Sequence, residues 1–394
     1  METYILDWLN LLLRFLHVIT AIAWIGASFY FIWLDHSLQT PPQWKQKKGI
    51  SGDLWAIHGG GFYEIAKYGN APAQLPTTLH WFKWEAYATW ITGFTLLSLI
   101  YYVGADTYLI DPGKADLSPW QAIAIGVAVL VVGWFIYDAA SRSKLAQHGL
   151  LFGLFILLVI AITAWGLSHL FTDRAVYIHI GALIGTAMAA NVLFTIIPAQ
   201  RELVRAMEAG DVPDPIWGIR AKLRSTHNNY ATLPVIFIMT SNHYPMTYSH
   251  PYGWLVLVAL VAIGAWARHF FNLRHRGITQ PVILVSALVA FALLAWLIMP
   301  PRISNTAHVN FSQIQGIVQQ RCSSCHSHKP TDKQFTAPPA GVTFDTASEI
   351  QRWAPQILQR AVQTKDMPFM NRTGITDQER TKLGAWIQAG AKSK

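Results

Sequence analysis

Charge is scarce in this chain. Asp, Glu, Lys and Arg make up 13% of its 394 residues, about half the share ordinary in a soluble domain. Cysteine is scarcer still, with two residues, which excludes a disulfide-stapled scaffold. No glycine-rich phosphate loop, dinucleotide fingerprint, nucleophile elbow or zinc signature occurs, so nucleotide-dependent chemistry is not expected. A basic leader is missing too. Glu2 and Asp7 stand where a secretion signal carries cations, and the apolar stretch runs on to about Trp33, so the N-terminus reads as a retained transmembrane helix. There is no internal repeat and no low-complexity tract. The net charge of +9 does not point to nucleic acid, because the basic residues fall mainly in loops between apolar segments and in the tail, with no basic reading helix.

What is abundant is apolar. Hydrophobic residues reach 52%, and 17 tryptophans suit the headgroup interface, so lipid is the expected surroundings. Eight apolar stretches, roughly 8–33, 84–104, 119–138, 150–170, 174–197, 229–245, 252–272 and 280–299, each approach the ~20 residues that cross a hydrocarbon core. The sixth is interrupted by Asn242 and His243. Lys45, Lys47, Lys48 and Lys67 lie in the first loop, Arg142 and Lys144 in the third, Arg201, Arg205, Arg220, Lys222 and Arg224 in the fifth, and Arg274 and Arg276 in the seventh. Even loops are poor in cations. Odd loops are therefore expected on the cytoplasmic side and both termini outside.

Met299-Pro300-Pro301 ends the last stretch, and a polar tail follows that contains Cys322-Ser323-Ser324-Cys325-His326. This is C-x-x-C-H, the attachment site of a c-type haem. The two thiols bond the porphyrin and His326 ligates its iron. Attachment of this kind takes place outside the bacterial cytoplasm, in agreement with the charge asymmetry. Thr346-x-x-Glu349 and Thr376-x-x-Glu379 are capping boxes, and Leu383, Trp386 and Ile387 would be buried by the final helix. The expected fold is all-α: a polytopic membrane domain of about eight spans over 1–303, fused to a class I cytochrome c domain over 304–394. Met367, before Pro368, is the favoured sixth ligand; Met370 and His328 are the alternatives. From Arg321 onward the tail holds eleven Lys or Arg against six Asp or Glu. This excess suits an acidic periplasmic electron acceptor or terminal oxidase, or is ordinary solvation.

Ionisable residues at membrane depth are functional candidates. Near the expected cytoplasmic face are His58-Gly59-Gly60-Gly61, His80, Lys83, Glu85, His227-Asn228-Asn229-Tyr230, Arg268, His269 and Asn272. His80, Lys83, Trp84 and Tyr87 have the spacing of one helical face. Together these groups suit a small, planar anion rich in hydrogen bonds. Against that, Lys83 and Arg268 can be read as snorkelling cations, and His58 with its glycines as a tight turn. His17, His169, His179 and His243 are either packing residues or ligands of an additional b-type haem.

The chain resembles the bacterial membrane-bound urate oxidases, whose membrane domain is fused to a C-terminal cytochrome c. The resemblance is carried by His58-Gly-Gly-Gly-Phe-Tyr63, His80-Trp-Phe-Lys-Trp-Glu-Ala-Tyr87, His227-Asn-Asn-Tyr-Ala-Thr-Leu-Pro234, Ser241-Asn-His-Tyr-Pro245, Cys322 to His326, Met367-Pro368 and Thr376 to Trp386. It implies oxidation of urate to 5-hydroxyisourate at the inner (cell) membrane of a bacterium. It also implies that electrons leave through the cytochrome to the respiratory chain and not as hydrogen peroxide. For that substrate Asn228, Asn229, Arg268, His80 and Glu85 are the binding candidates, His227 the expected base and Lys83 its alternative. A quinol-to-cytochrome c reductase subunit is the second reading, and a transporter or channel with a cytochrome sensor the third.

Overall fold

The structure, a computed structural model, describes residues 2–69, 71–300, 309–332, 334–335 and 337–393. The chain is mostly helical, at 69%. Its principal helices are α1 (Glu2–Ser37), α2 (Trp84–Leu97), α3 (Pro119–Arg142), α4 (Gly149–Ser168), α5 (Asp173–Asn191), α6 (Ile197–Glu208), α7 (Pro215–Ser241), α8 (Gly253–His275) and α9 (Pro281–Leu297). The tail adds α10 (Phe311–Arg321), α11 (Ala347–Arg352) and α12 (Asp377–Gln388). All eight expected stretches are helical. Five helices, Tyr4–Ser37, Pro119–Arg142, Gly149–Ser168, Asp173–Glu208 and Gly253–His275, are long and apolar enough to cross a membrane, and Pro281–Leu297 is a shorter apolar one. The long α7 is more polar, because Arg224, His227, Asn228 and Asn229 run through its middle.

The expectation of an all-α fold needs correction. Between α1 and α2 lies an antiparallel hairpin, β1 (Ile50–His58) and β2 (Gly61–Tyr68), in register from Ile50 opposite Tyr68 to His58 opposite Gly61. Its lysines marked this stretch as a charged loop, yet Leu54, Trp55, Ile57, Phe62, Tyr63 and Ile65 are strand formers. Gly59 (φ 58°) and Gly60 (φ 80°) supply the two left-handed residues of a tight hairpin turn. His58 and its glycines thus form a turn. Buried Lys45 braces the hairpin through Asp53 and Glu64.

In the bundle, α5 packs on α2, α3, α4 and α7, and α8 on α4, α7 and α9. Small residues let these helices approach. A Cβ on Gly126 of α3 would lie 2.8 Å from the His179 ring of α5. The largest core gathers Leu97, Tyr101, Leu109, Phe171, Tyr177, Ile180 and Leu257. Helix α2 runs on into a π-helical turn, Ser98–Tyr102, and a second follows at Ala105–Leu109. Thr172 caps α5 and donates to the Tyr108 carbonyl, which fixes the 104–118 loop against that helix.

The tail has its own core of Ile314, Val318, Phe344, Ile350, Leu383 and Trp386. Both expected capping boxes are formed, Thr346 with Glu349 and Thr376 with Glu379. The C-x-x-C-H run lies in the turn just after α10 and not within a helix. The expected boundary at 303/304 falls outside the described residues.

Gly126→Val should disrupt the contact of α3 with His179 and cost ~1–3 kcal/mol, the usual penalty of overpacking. Thermal unfolding of the detergent-solubilised protein measures this. A midpoint equal to wild type contradicts the close approach.

Candidate functional site

Four consecutive residues of α7 point to different neighbours, because successive helical side chains are about 100° apart. Asn228 donates to the Met188 carbonyl at 3.0 Å and accepts from Asn191 at 2.8 Å, both on α5. The Asn191 amide also donates to the Tyr137 hydroxyl at 2.8 Å, which stands 2.9 Å from His227 Nδ1. The His227 ring stacks on Phe152 at 4.5 Å. One turn earlier, Arg224 is 4% exposed. It pairs with Asp138 at 2.6 Å and donates to Asn191 Oδ1 at 3.1 Å. This connected network of α3, α5 and α7 is closed, with each buried charge answered.

Asn229 faces the other way. Its amide reaches the Ser28 carbonyl and hydroxyl of α1 at 3.4 Å, and its Oδ1 accepts from Arg268 Nε of α8 at 2.9 Å. The Arg268 guanidinium lies 4.1 Å over the Phe29 ring. Arg268 is as buried as Arg224, at 5% exposed, but no carboxylate is within ion-pair reach of it among the described residues. Its Nη2 is buried without a partner, and so are Asn272 Oδ1, His275 Nδ1 and His36 Nδ1. Arg268, Asn272 and His275 follow i, i+4, i+7 on one face of α8. His36 Nε2 is held by Arg276 at 3.3 Å. On this face of α8 a buried guanidinium nitrogen, an amide oxygen and an imidazole nitrogen are without partners among the described residues, and His36 Nδ1 at the end of α1 is too.

The remaining candidates lie elsewhere. His80 and Lys83 precede α2, which starts at Trp84, with Lys83 at its N-cap. The expected helical stripe through His80, Lys83 and Tyr87 is therefore not formed, because the proline- and threonine-rich approach at 72–78 delays the helix. His80 packs on Phe82, Lys83 sits over Trp84, and Glu85 is in the first turn of α2. Tyr230 hydrogen-bonds His269 at 2.7 Å, and that ring stacks on Trp266. His17 meets α2 at Thr89 and Thr92. His179 meets the same strand of chain further on, at Tyr101 and Tyr102, so the two do not face each other. His169 bonds back to Trp165, and His243 is an exposed turn residue. A cleft of about 530 Å³ opens at the other end of the bundle, lined by Lys114, Trp165, His169, Asp173, Tyr248 and His250; it contains none of the open buried atoms.

Sequence reasoning overlooked Asp138, Tyr137, Asn191, His36 and His275. The spacing of His275 from Arg268 and Asn272 was readable. Asp138 and His36 carried no signal, since each looks like an ordinary helix-end residue.

The C-x-x-C-H run suits a covalently held haem. Cys322 and Cys325 are free thiols, and burial pushes Cys322 up to about 12. Backbone bonds from Cys325 and His326 to the Cys322 carbonyl close the turn between them. His326 Nδ1 is 3.1 Å from the Val342 carbonyl, which orients the ring and leaves Nε2 for a metal. Met367 is fixed by its own backbone: its N–H donates to the Arg360 carbonyl at 3.0 Å, and its carbonyl accepts from Arg380 at 2.7 Å.

Two outcomes follow. Asp138→Asn leaves Arg224 as an uncompensated buried charge and should cost ~3–5 kcal/mol, read as a lower unfolding temperature; an unchanged one contradicts the closed network. Met367→Ala should keep covalent haem but change its visible spectrum and potential, and an unaltered spectrum removes Met367 from the iron.

The comparisons with known proteins are consistent with this picture. No curated protein and no solved structure matches the chain. The urate oxidase N-terminal family matches residues 3–299, which hold both polar networks and every helix from α1 to α9. The chain belongs to the urate oxidase N-terminal family.

Proposed function

We propose that the protein is a membrane-bound urate oxidase that converts urate to 5-hydroxyisourate and passes the electrons to a haem c on its tail domain. The observation that carries this reading is the Arg268 guanidinium, buried and without a carboxylate among the described residues, on the same helical face as the unpartnered Asn272 Oδ1 and His275 Nδ1. A buried cation of this kind is costly until an anion meets it. Urate is planar, anionic and edged with donors and acceptors. Nη2 of Arg268 donates to one edge, Asn272 Oδ1 accepts from a ring N–H, and Asn229 holds the guanidinium in place.

Oxidation also needs a group to take a proton. His275, two turns along α8 from Arg268, and His36, held by Arg276, each have a nitrogen without a partner and are freer than His227, which Tyr137 and Phe152 occupy. His227 and Asn228 then act as support for α7, and Lys83, His80 and Glu85 as parts of the mouth. A bound haem c supplies a one-electron acceptor, so each urate requires two transfers. Cys322 and Cys325 would anchor it, and His326 and Met367 would ligate its iron.

The remaining topology is part of the same reading: eight spans in a bacterial inner membrane, both termini and the tail domain in the periplasm, and delivery to a periplasmic acceptor or terminal oxidase. An additional b-type haem is not required by the four histidines, which are scattered.

Anaerobic addition of urate to the purified, haem-loaded protein tests the proposal. Urate absorbance should fall and the haem should turn ferrous. Arg268→Ala should raise KM by ~10–150-fold, the equivalent of a lost charged hydrogen bond, while haem reduction by dithionite stays intact. A haem that stays ferric with urate but is reduced by a quinol would favour the quinol reductase reading.

A further inference from the structure

The tail domain touches the bundle through the loop that carries Met367. Phe369 packs on Tyr108, with ring centroids 6.1 Å apart, and Arg372 donates to the Asp106 carbonyl at 3.0 Å. Arg372 also lies 5.9 Å from the Phe369 ring and is hydrogen-bonded to Gln334, so both contacts come from one braced surface. Tyr108 is the start of a continuous row of rings. Tyr101 is 6.4 Å from it, His179 6.2 Å from Tyr101, and Tyr102 5.9 Å from His179. Phe94 and Trp90 extend the row at 6.5 and 5.3 Å. Trp90 then donates to Thr186 of α5, the helix that carries Asn191.

Two features mark this row as built. Tyr101, Tyr102 and Tyr108 all lie in the two π-helical turns, an irregularity that concentrates at functional sites. Gly126 leaves room for His179 and the Tyr102 hydroxyl, since a Cβ there would stand 2.8 and 3.0 Å from them. Through the first of these turns two successive tyrosines, Tyr101 and Tyr102, both meet one buried histidine, His179.

We propose that Tyr108 and Phe369 form the electron exit of the membrane domain, and that Arg372 holds the exit closed against Asp106. This rests on the urate oxidase reading for the donor, but not for the contact. With a haem held at Cys322 and Cys325, each electron leaving the bundle would cross Tyr108 and Phe369 and be taken up by the haem, one at a time. No bond forms or breaks at the rings, and no ring is left oxidised; the row provides a path of rings in contact, with Tyr101 and His179 buried at its centre. Two such passages remove the electron pair of one urate, while a water supplies the hydroxyl of 5-hydroxyisourate and two protons leave to solvent from the pocket.

The test uses the full-length holoprotein and a Phe369→Ala, Arg372→Ala double variant, both residues being outside the urate pocket and the haem ligand set. Hydrogen exchange of the 105–110 segment should quicken in the variant. Haem reduction by urate should slow by an order of magnitude, while haem reduction by dithionite and loss of urate with a soluble artificial acceptor stay at wild-type levels. Exchange unchanged by the double substitution, or haem reduction by urate at the wild-type rate, overturns the proposal. If the wild-type chain oxidises no urate with the artificial acceptor, the substrate reading fails separately. The same comparison is then made with a quinol as donor, and equal rates overturn the exit.

Discussion

A guanidinium without a counter-ion organises this protein. Arg224 and Arg268 are buried alike, and both are held by asparagines that belong to or face α7. Arg224 has Asp138, so its network is complete and serves to lock α3, α5 and α7 together. Among the described residues Arg268 has Asn229, with Ser28 behind it, and the face of Phe29, but no carboxylate. A buried charge left in that condition destabilises the fold unless something else neutralises it. The closed network is a scaffold, and the open one is where we propose that an anionic ligand completes the structure. Placing both on one helix means that ligand binding bears directly on the part of the bundle that is hardest to deform.

This arrangement separates two tasks. The open atoms sit toward the end of α8, with Arg268 fifteen residues beyond Gly253, or ~22 Å along the helix at 1.5 Å per residue. The tail domain meets the opposite end of the bundle, at Asp106 and Tyr108. In the proposed reading, chemistry on a polar anion and collection of electrons by a tethered carrier are kept at different ends of an apolar body. The row of rings from Phe369 to Trp90 occupies part of the intervening distance. The π-helical turns and the glycine under His179 show where regular helix geometry is given up so that those rings stay in contact.

Much of the fold was legible in the sequence, for clear physical reasons. Apolar runs near membrane thickness can only be helices, and each of the eight became one. The capping boxes at Thr346 and Thr376 and the tail core around Leu383 and Trp386 were equally plain, because their signals are local. The hairpin at 50–68 was not, since it lies in a stretch flanked by Lys45, Lys47, Lys48 and Lys67 that reads as a charged loop, and the pairing of Lys45 with Asp53 and Glu64 shows only in the fold. In the site, Asn229 and Arg268 were both readable and do meet. The direction each residue of 227–230 takes was not, because it depends on which helices surround α7. His80 and Lys83 had helical spacing without a helix, a reminder that periodicity over four residues says little next to a proline-rich approach.

The most direct test of the account is a cryo-electron microscopy map of the reduced protein with urate bound. The account predicts a planar ligand against Arg268 Nη2 and Asn272 Oδ1, with His275 or His36 at its edge. Urate located instead in the cleft by Trp165, His169 and His250, with Arg268 still without an anion, would contradict it.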